Sequence, residues 1–352
     1  MAGKRVVVAM SGGVDSLVTA ALLKEAGHQI SGIYLKLWAG PGQEENIAAL
    51  GDACRQLEIP LQILSLEEEF QSLVIDYFCR EYSRGRTPNP CTTCNQRIKF
   101  GLLLDMALGM GAEYLATGHY ARIESSKKGY HLLKGTDPAK DQSYFLYRLG
   151  QRELKHLLFP LGNLHKSEVR KMAARRGLVT SSPRESQDIC FIPGNDYRSF
   201  LTEHIPTRSG DITDTEGSIL GRHSGLASYT IGQRQGLGLS SKERLHVLKL
   251  DAAANRVIVG TKDQLLSSRL TASSLSWVKG APPQETGNIT AKIRYGSAAA
   301  AAKLYLKDDT TMVSFDKPQS AITPGQAIVF YRGDEVLGGG IIEGEGNKEG
   351  DR

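Results

Sequence analysis

A chain of 352 residues, 40% hydrophobic and 23% charged, is long enough for two or three folded units, each with its own core. A net charge of +5 suits a polyanionic partner but equally an ordinary enzyme, so charge excludes neither. No run is long and apolar enough for a membrane helix, and the N-terminal MAGKRVVVAM enters strand-like sequence without a cleavable leader. A cytoplasmic protein with no membrane partner is expected. Five cysteines are too sparse for a disulfide framework and point to catalytic, redox or metal chemistry wherever one is special.

Arg5 to Met10 is a β-branched run, followed by SGGVDS and an apolar-periodic segment from Leu17 to Ala26 that stops at Gly27. That is strand, glycine loop and helix. Strand-like runs at residues 30–37 and 61–66, a helix at 44–57, helices at 67–84 and 98–110 and a strand at 114–117 continue the alternation. The pattern implies an α/β domain with a parallel sheet, placed at residues 1–200. From Gly210 the texture turns to short β-rich runs separated by Gly, Pro, Asn and Asp. Two small, mainly β, barrel-like domains are expected there, at 201–268 and 269–352, with a frayed tail from Gly344. Ala298 to Ala302 favours helix by propensity, but its neighbours KIRY and KLYL favour strand, and strand is the expectation.

In SGGVDS, Gly12 and Gly13 allow a tight turn and close approach to a ligand, while the following helix offers free N–H groups and a positive dipole end. Ser11 and Ser16 add hydroxyls, and Asp15 is a candidate for holding Mg²⁺ between phosphates. No Walker lysine is present, so this is not an ordinary P-loop. A Gly-Gly turn with a helix-capping Asp or Ser is the plain alternative. SGGVDS resembles the signature of the PP-loop ATP pyrophosphatases, a Rossmann-like superfamily that cleaves ATP to AMP and pyrophosphate while adenylating a substrate.

Cys91 and Cys94 lie in TPNPCTTCNQRIKFG, where Pro88 and Pro90 predict an extended loop ahead of the helix at Ile98. A thiol there is expected to have a depressed pKa, helped by Arg86, Arg97 and Lys99. Half of a zinc site is the competing reading, but no second CxxC or HxxxH completes it. Cys190 sits in an apolar DICFI run, where an inert core residue is the default, and Cys54 and Cys79 read as core.

Taken together, SGGVDS, NPCTTCN, ATGHYAR, KDQSYFL, SQDICFI and TIGQRQGLG closely resemble the tRNA-specific 2-thiouridylases along almost the whole chain. The resemblance implies ATP-dependent thiolation of the wobble uridine of tRNA: O2 is adenylated with release of pyrophosphate, then a persulfide sulfur displaces AMP from C2. By motif position Cys94 is the nucleophile and Cys190 the persulfide carrier. Ala9, Met10, Ser11, Gly12, Gly13, Val14, Asp15, Ser16, Leu35 and Gly118 form the ATP site, with Mg²⁺. Asn89, Pro90, Cys91, His119, Lys140, Asp141, Gln142, Arg294, Tyr295 and Gln326 contact tRNA. A cysteine desulfurase or sulfur-relay protein supplies the persulfide.

Where many relatives carry aspartate this chain has Cys91, so an iron–sulfur cluster on Cys91, Cys94 and Cys190 is a further expectation. The loop after Trp38 is short, which leaves open the contacts that a longer acidic insertion makes in relatives. Lys166, Arg170, Lys171, Arg175 and Arg176, in LHKSEVRKMAARRG, are placed along a tRNA phosphate backbone, against the alternative of a solvated basic face. Two other functions stay open: a different PP-loop adenylating synthetase, which has no need of Cys94 and Cys190, and a non-catalytic RNA-binding protein, which releases no pyrophosphate.

Overall fold

In the computed structural model, which describes residues 3–40, 42–178, 189–192, 194, 196–241 and 243–346, the N-terminal part alternates strand and helix as its periodicity dictates. Strands β1 (Arg5–Ala9), β2 (Gln29–Lys36), β3 (Leu61–Ser65), β4 (Tyr114–Ala116) and the short β7 (Leu157–Leu158) form a parallel sheet in the order β3-β2-β1-β4-β7. Val6, Val7 and Val8 of the central β1 are all buried, as a strand covered on both faces requires. On one face Val6 and Val8 pack with Leu17 and Val18 of α1 (Val14–Glu25), Leu50 of α2 (Gln43–Gln56) and Val169 of a later helix; on the other Val7 packs with Leu103, Leu104 and Leu115.

The next helices are broken in a way that periodicity does not reveal. Helix α3 (Glu67–Phe70) passes through a π segment, Gln71–Ile75, into α4 (Asp76–Ser83). Likewise α5 (Pro90–Cys94) passes through a π segment, Asn95–Leu102, into α6 (Leu103–Gly109). The stretch expected to be an extended loop before Ile98 is therefore helical from Pro90. The Asn89 side chain accepts the Cys91 N–H at 3.1 Å, and Pro90 takes the first helical position, where its missing N–H costs nothing.

Between β4 and β7 the chain makes an antiparallel hairpin, β5 (Ala121–Ser126) and β6 (Gly129–Lys134), and the short α7 (Gln151–Leu154); α8 (Lys166–Arg175) and α9 (Tyr197–His204) follow. Beyond them β8 (Gly210–Thr213), β9 (Ile219–His223), β10 (His246–Asp251) and β11 (Arg256–Gly260) make a four-stranded sheet. The last six strands are β12 (Leu266–Trp277), β13 (Ile289–Lys292), β14 (Ala300–Lys307), β15 (Thr310–Ser320), β16 (Ala327–Arg332) and β17 (Glu335–Glu345). Since β12 pairs with both β15 and β17, they close into a barrel.

The alanine run enters β14, where Ala302 and Leu304 are buried in the barrel core; tertiary packing overrides helix propensity there. Gly344 and Glu345 belong to β17, and the rest of the expected tail beyond residue 346 lies outside the described residues. The β5–β6 hairpin joins the barrel's sheet, with Leu132 and Leu133 paired to Val336 and Glu335 of β17. Among the described residues no helix is long and apolar enough to cross a membrane.

Candidate active site

The glycine loop leaves the C-terminal end of β1, with Gly12 at φ +77°. Ser16 Oγ donates to the Gly13 carbonyl at 2.9 Å and accepts the Ser11 N–H at 3.2 Å, curling the loop over the first turn of α1. Among the described residues no side chain caps α1 at Gly13, which leaves its first turn as the arrangement that binds anions. Ala9 and Met10 lead into the loop, and the Met10 N–H is held by the Ile33 carbonyl at 2.8 Å. Leu35 lies near the same end of β2. Gly118 follows β4 and touches the loop so closely that a Cβ would stand 2.9 Å from Asp15 Cβ; only glycine fits.

Asp15 is not open to solvent on all sides. Lys166 Nζ lies 2.7 and 2.6 Å from its two carboxylate oxygens, and the Tyr120 hydroxyl donates to Oδ1 at 2.8 Å. Burial, with the Asp15 charge beside it, raises the pKa of Tyr120 and keeps it a donor. Lys166 thus brings to the glycine loop the cation that its sequence lacks, from the start of α8. Neither Lys166 nor Tyr120 is singled out for this place by the sequence. The available signal is that a phosphate loop without its own lysine needs one from elsewhere. The basic run of α8 is correspondingly divided: Lys166 turns inward, and Arg176 makes an ion pair with Glu25 at 2.7 Å. Lys171 and Arg175 are exposed.

Cys94 is 8% exposed, within a cluster formed by Phe70, Phe78, Ile98, Phe191 and Ile192. The last two follow Cys190 directly, so the two cysteine segments meet in one core. Cys91, Cys94 and Cys190 are all free thiols. Burial pushes Cys91 up to about 11 and raises Cys94 as well, against the pull of Lys99. The expected depression is therefore reversed, because desolvation of a helix interior outweighs one lysine. Arg86, counted as an activating charge, is engaged with Glu81 and Glu343. Crowding around the Cys190 sulfur and the neighbouring Cys94 and Cys91 raise its pKa too; Cys190 is exposed, and water moderates that rise. Among the described residues no three Cys, His, Asp or Glu side chains are grouped as for a metal ion. Cys54 is in the core beside the central strand as expected, and the half-buried Cys79 packs on the separate aromatic cluster around Cys94.

Several of the residues assigned to tRNA are already bonded within the protein. Asn89 caps α5. Asp141 accepts from the Gly135 and Ser143 amides at 3.0 Å each and from Ser143 Oγ, while Gln142 Oε1 accepts the Tyr120 N–H at 3.0 Å. Lys140 ends the turn that begins at Asp137. Arg294 donates to the Ser320 and Ala321 carbonyls. Tyr295 packs on Phe145 at a centroid distance of 4.5 Å, and Gln326 Nε2 donates to the Thr87 carbonyl at 2.8 Å. His119 is buried between Phe100 and Phe159, hydrogen-bonded to Thr117 Oγ1 at 2.7 Å; burial holds its pKa well below the usual imidazole value. Asn95, beside Cys94 and absent from the sequence expectations, donates to the Phe145 carbonyl at 3.3 Å and buries an Oδ1 with no partner among the described residues.

Three family models match in chain order: the tRNA methyl transferase HUP domain over residues 4–194, its PRC-barrel domain over 198–261 and the aminomethyltransferase beta-barrel domain over 267–342. The chain is 50% identical to a tRNA-specific 2-thiouridylase MnmA of Geotalea uraniireducens, with 97% of this chain and 95% of the relative covered. It is 49% identical to that of Geobacter metallireducens, with 97% of each covered, and 47% identical to that of Syntrophomonas wolfei, with 96% of this chain and 99% of the relative covered. With an ATP-loop sheet domain, paired cysteine segments and a terminal barrel in that order, and near-complete coverage at such identity, this chain belongs to the tRNA-specific 2-thiouridylase family.

Proposed function

We propose that this protein uses ATP to convert the wobble uridine of tRNA to 2-thiouridine. The observation that carries the reading is the meeting of the Cys94 and Cys190 segments in one buried cluster, in a chain that also holds a lysine-supplemented glycine loop. A different adenylating synthetase has no use for the first feature, and a passive RNA-binding protein has no use for the second.

ATP lies along residues Ala9 to Ser16, with Leu35 and Gly118 beside it. The α1 amides and Lys166 offset the charge that develops on the departing pyrophosphate. Uridine O2 attacks the α-phosphorus, the bond to pyrophosphate breaks, and O2 becomes part of an AMP leaving group. Asp15 is the residue that would hold Mg²⁺, which would offset phosphate charge there. The terminal sulfur of a Cys190 persulfide then bonds to C2 as AMP leaves with O2. Cys94 thiolate attacks Cys190 Sγ, the S–S bond breaks, and 2-thiouridine departs as a Cys94–Cys190 disulfide forms. A thiol reductant resets the pair, and a protein persulfide donor reloads Cys190. No step here runs through an iron–sulfur cluster.

The chemistry separates in two variants. With ATP, a persulfide donor and unmodified tRNA, Cys190→Ser is expected to release pyrophosphate yet form no 2-thiouridine, and Asp15→Ala to lose both. Thiolation by Cys190→Ser at the normal rate overturns the carrier role. Absence of pyrophosphate release by the unaltered protein overturns the reaction itself.

A further inference from the structure

TIGQRQGLG, residues 230–238, takes no part in the nucleotide or sulfur chemistry above. Gly232, Gly236 and Gly238 adopt φ of +88°, +74° and +66°, reversals that glycine makes without strain. The loop is stiffened from inside: Gln233 Oε1 accepts the Thr230 N–H at 3.1 Å, Gln233 Nε2 donates to the Gln235 carbonyl at 2.9 Å, and backbone bonds tie Gly232 and Gln233 to Val247 of β10.

Opposite this loop stands α9. Between them opens a cleft of about 480 Å³ lined by Tyr197, Arg198, Thr230, Gln233, Arg234 and Gln235. Arg234 also borders a second cleft, of about 390 Å³, that reaches Arg244, so the two adjoin in a trough with three arginines along it. The loop approaches Arg198 closely: a Cβ on Gly236 would stand 3.2 Å from Nη1. Arg198 Nε is buried with no hydrogen-bond partner among the described residues. Asp196 feels the Arg198 charge, but its carboxylate is committed to Ser199 at the start of α9. The cleft is joined rigidly to the cysteine segment, since Phe200 of α9 packs on Phe191 at 5.4 Å and Tyr197 on Tyr82 at 5.8 Å.

We propose that this trough binds the phosphodiester backbone of the tRNA whose uridine enters at Cys94, with Arg198 and Arg234 each on a phosphate. Guanidinium groups held in a fixed fork match phosphate oxygens, the Gln235 amide adds donors beside α9, and the one acid among the described lining residues, Glu243, stands in the second cleft beside Arg244. An open trough with arginines spaced along it suits a passing chain of regularly spaced anions better than an enclosed small molecule. The assignment rests on tRNA being the substrate.

Binding of unmodified tRNA over a range of salt concentrations tests it, using the full-length protein and its Arg198→Ala, Arg234→Ala, double-alanine and corresponding lysine variants. Each alanine is expected to lower the slope of log affinity against log salt by about one, and the double variant by about two. The lysine variants, which keep the charge, are expected to keep the slope. Wild-type slopes in the alanine variants overturn the assignment. So does unchanged tRNA binding combined with thiolation that fails with a protein persulfide donor and recovers with inorganic sulfide, which gives the trough to the donor protein. If the unaltered protein neither binds tRNA nor releases pyrophosphate with it, the thiolation reading falls as well; if it does both and only the variants behave as wild type, the trough alone is misassigned.

Discussion

Arg86 and Glu343 stand 257 residues apart, yet the Arg86 guanidinium donates to the Glu343 carboxylate at 2.5 Å while its Nε holds Glu81 at 2.7 Å. One residue on, the Thr87 N–H donates to the Pro324 carbonyl at 2.8 Å and the Thr87 carbonyl accepts from Gln326. The barrel therefore grips the root of the segment that carries Cys91 and Cys94. Arg86→Ala leaves the nearly buried Glu81 with only the longer Arg84 contact at 3.6 Å and takes the cation from Glu343, and is expected to cost about 1–3 kcal/mol. Urea unfolding reads that loss, and hydrogen exchange is expected to accelerate at residues 87–94. Unchanged exchange there removes the barrel's hold on the segment.

Lys166 is expected to act on the nucleotide half of the reaction. Removing a preorganised cation beside developing phosphate charge costs on the order of 100-fold in rate. Lys166→Ala should therefore slow tRNA-dependent pyrophosphate release by about that factor, with partial recovery in Lys166→Arg. A variant with normal pyrophosphate release but weak tRNA binding would return Lys166 to an RNA-facing role.

The raised pKa of Cys94 has a definite sign. Burial disfavours the thiolate, so at neutral pH the resting group is a thiol, and each pH unit below its pKa changes the thiolate fraction about tenfold. Alkylation of Cys94 by iodoacetamide, followed by mass spectrometry, is expected to accelerate by about that factor per unit from pH 7 to 9. A plateau already below pH 8 indicates an activated thiolate and contradicts the burial argument.

His119 gives a stability signature. Its folded pKa is depressed because burial disfavours the imidazolium, with Lys99 adding to the effect. The unfolded chain takes up a proton that the folded chain refuses. Stability is thus full above the unfolded value of about 6.5 and falls below it by about 1.4 kcal/mol per pH unit. In His119→Gln this share of the slope between pH 5 and 6.5 should vanish from urea unfolding curves. An identical slope means that His119 is protonated in the fold.

The parallel sheet, the glycine loop and the late β-rich texture were legible because each is written in local periodicity. The Pro90 helix start was legible in principle, since Asn89-Pro90 is a cap followed by a first-turn proline, although Pro88 and Pro90 by themselves favour an extended loop. The π segments and the thiol environments were not legible: they depend on packing of Phe70, Phe78 and Phe191, which come from distant positions. The same holds for Lys166, whose charge pattern on α8 looks like a surface stripe until α8 is laid against α1 and Asp15.

The hairpin that crosses into the barrel's sheet sets an order on biosynthesis. His131 on β6 hydrogen-bonds Glu335 on β17 at 2.6 Å, across 204 residues of sequence. At a synthesis rate of roughly 5–20 residues per second, β6 emerges about 10 to 40 seconds before the strand that completes it. During that interval the nascent sheet domain carries an open strand edge, which invites pairing with other chains. A fragment ending before β17 keeps that edge permanently, so the N-terminal ATP-loop domain made alone is expected to aggregate even though the parallel sheet is complete.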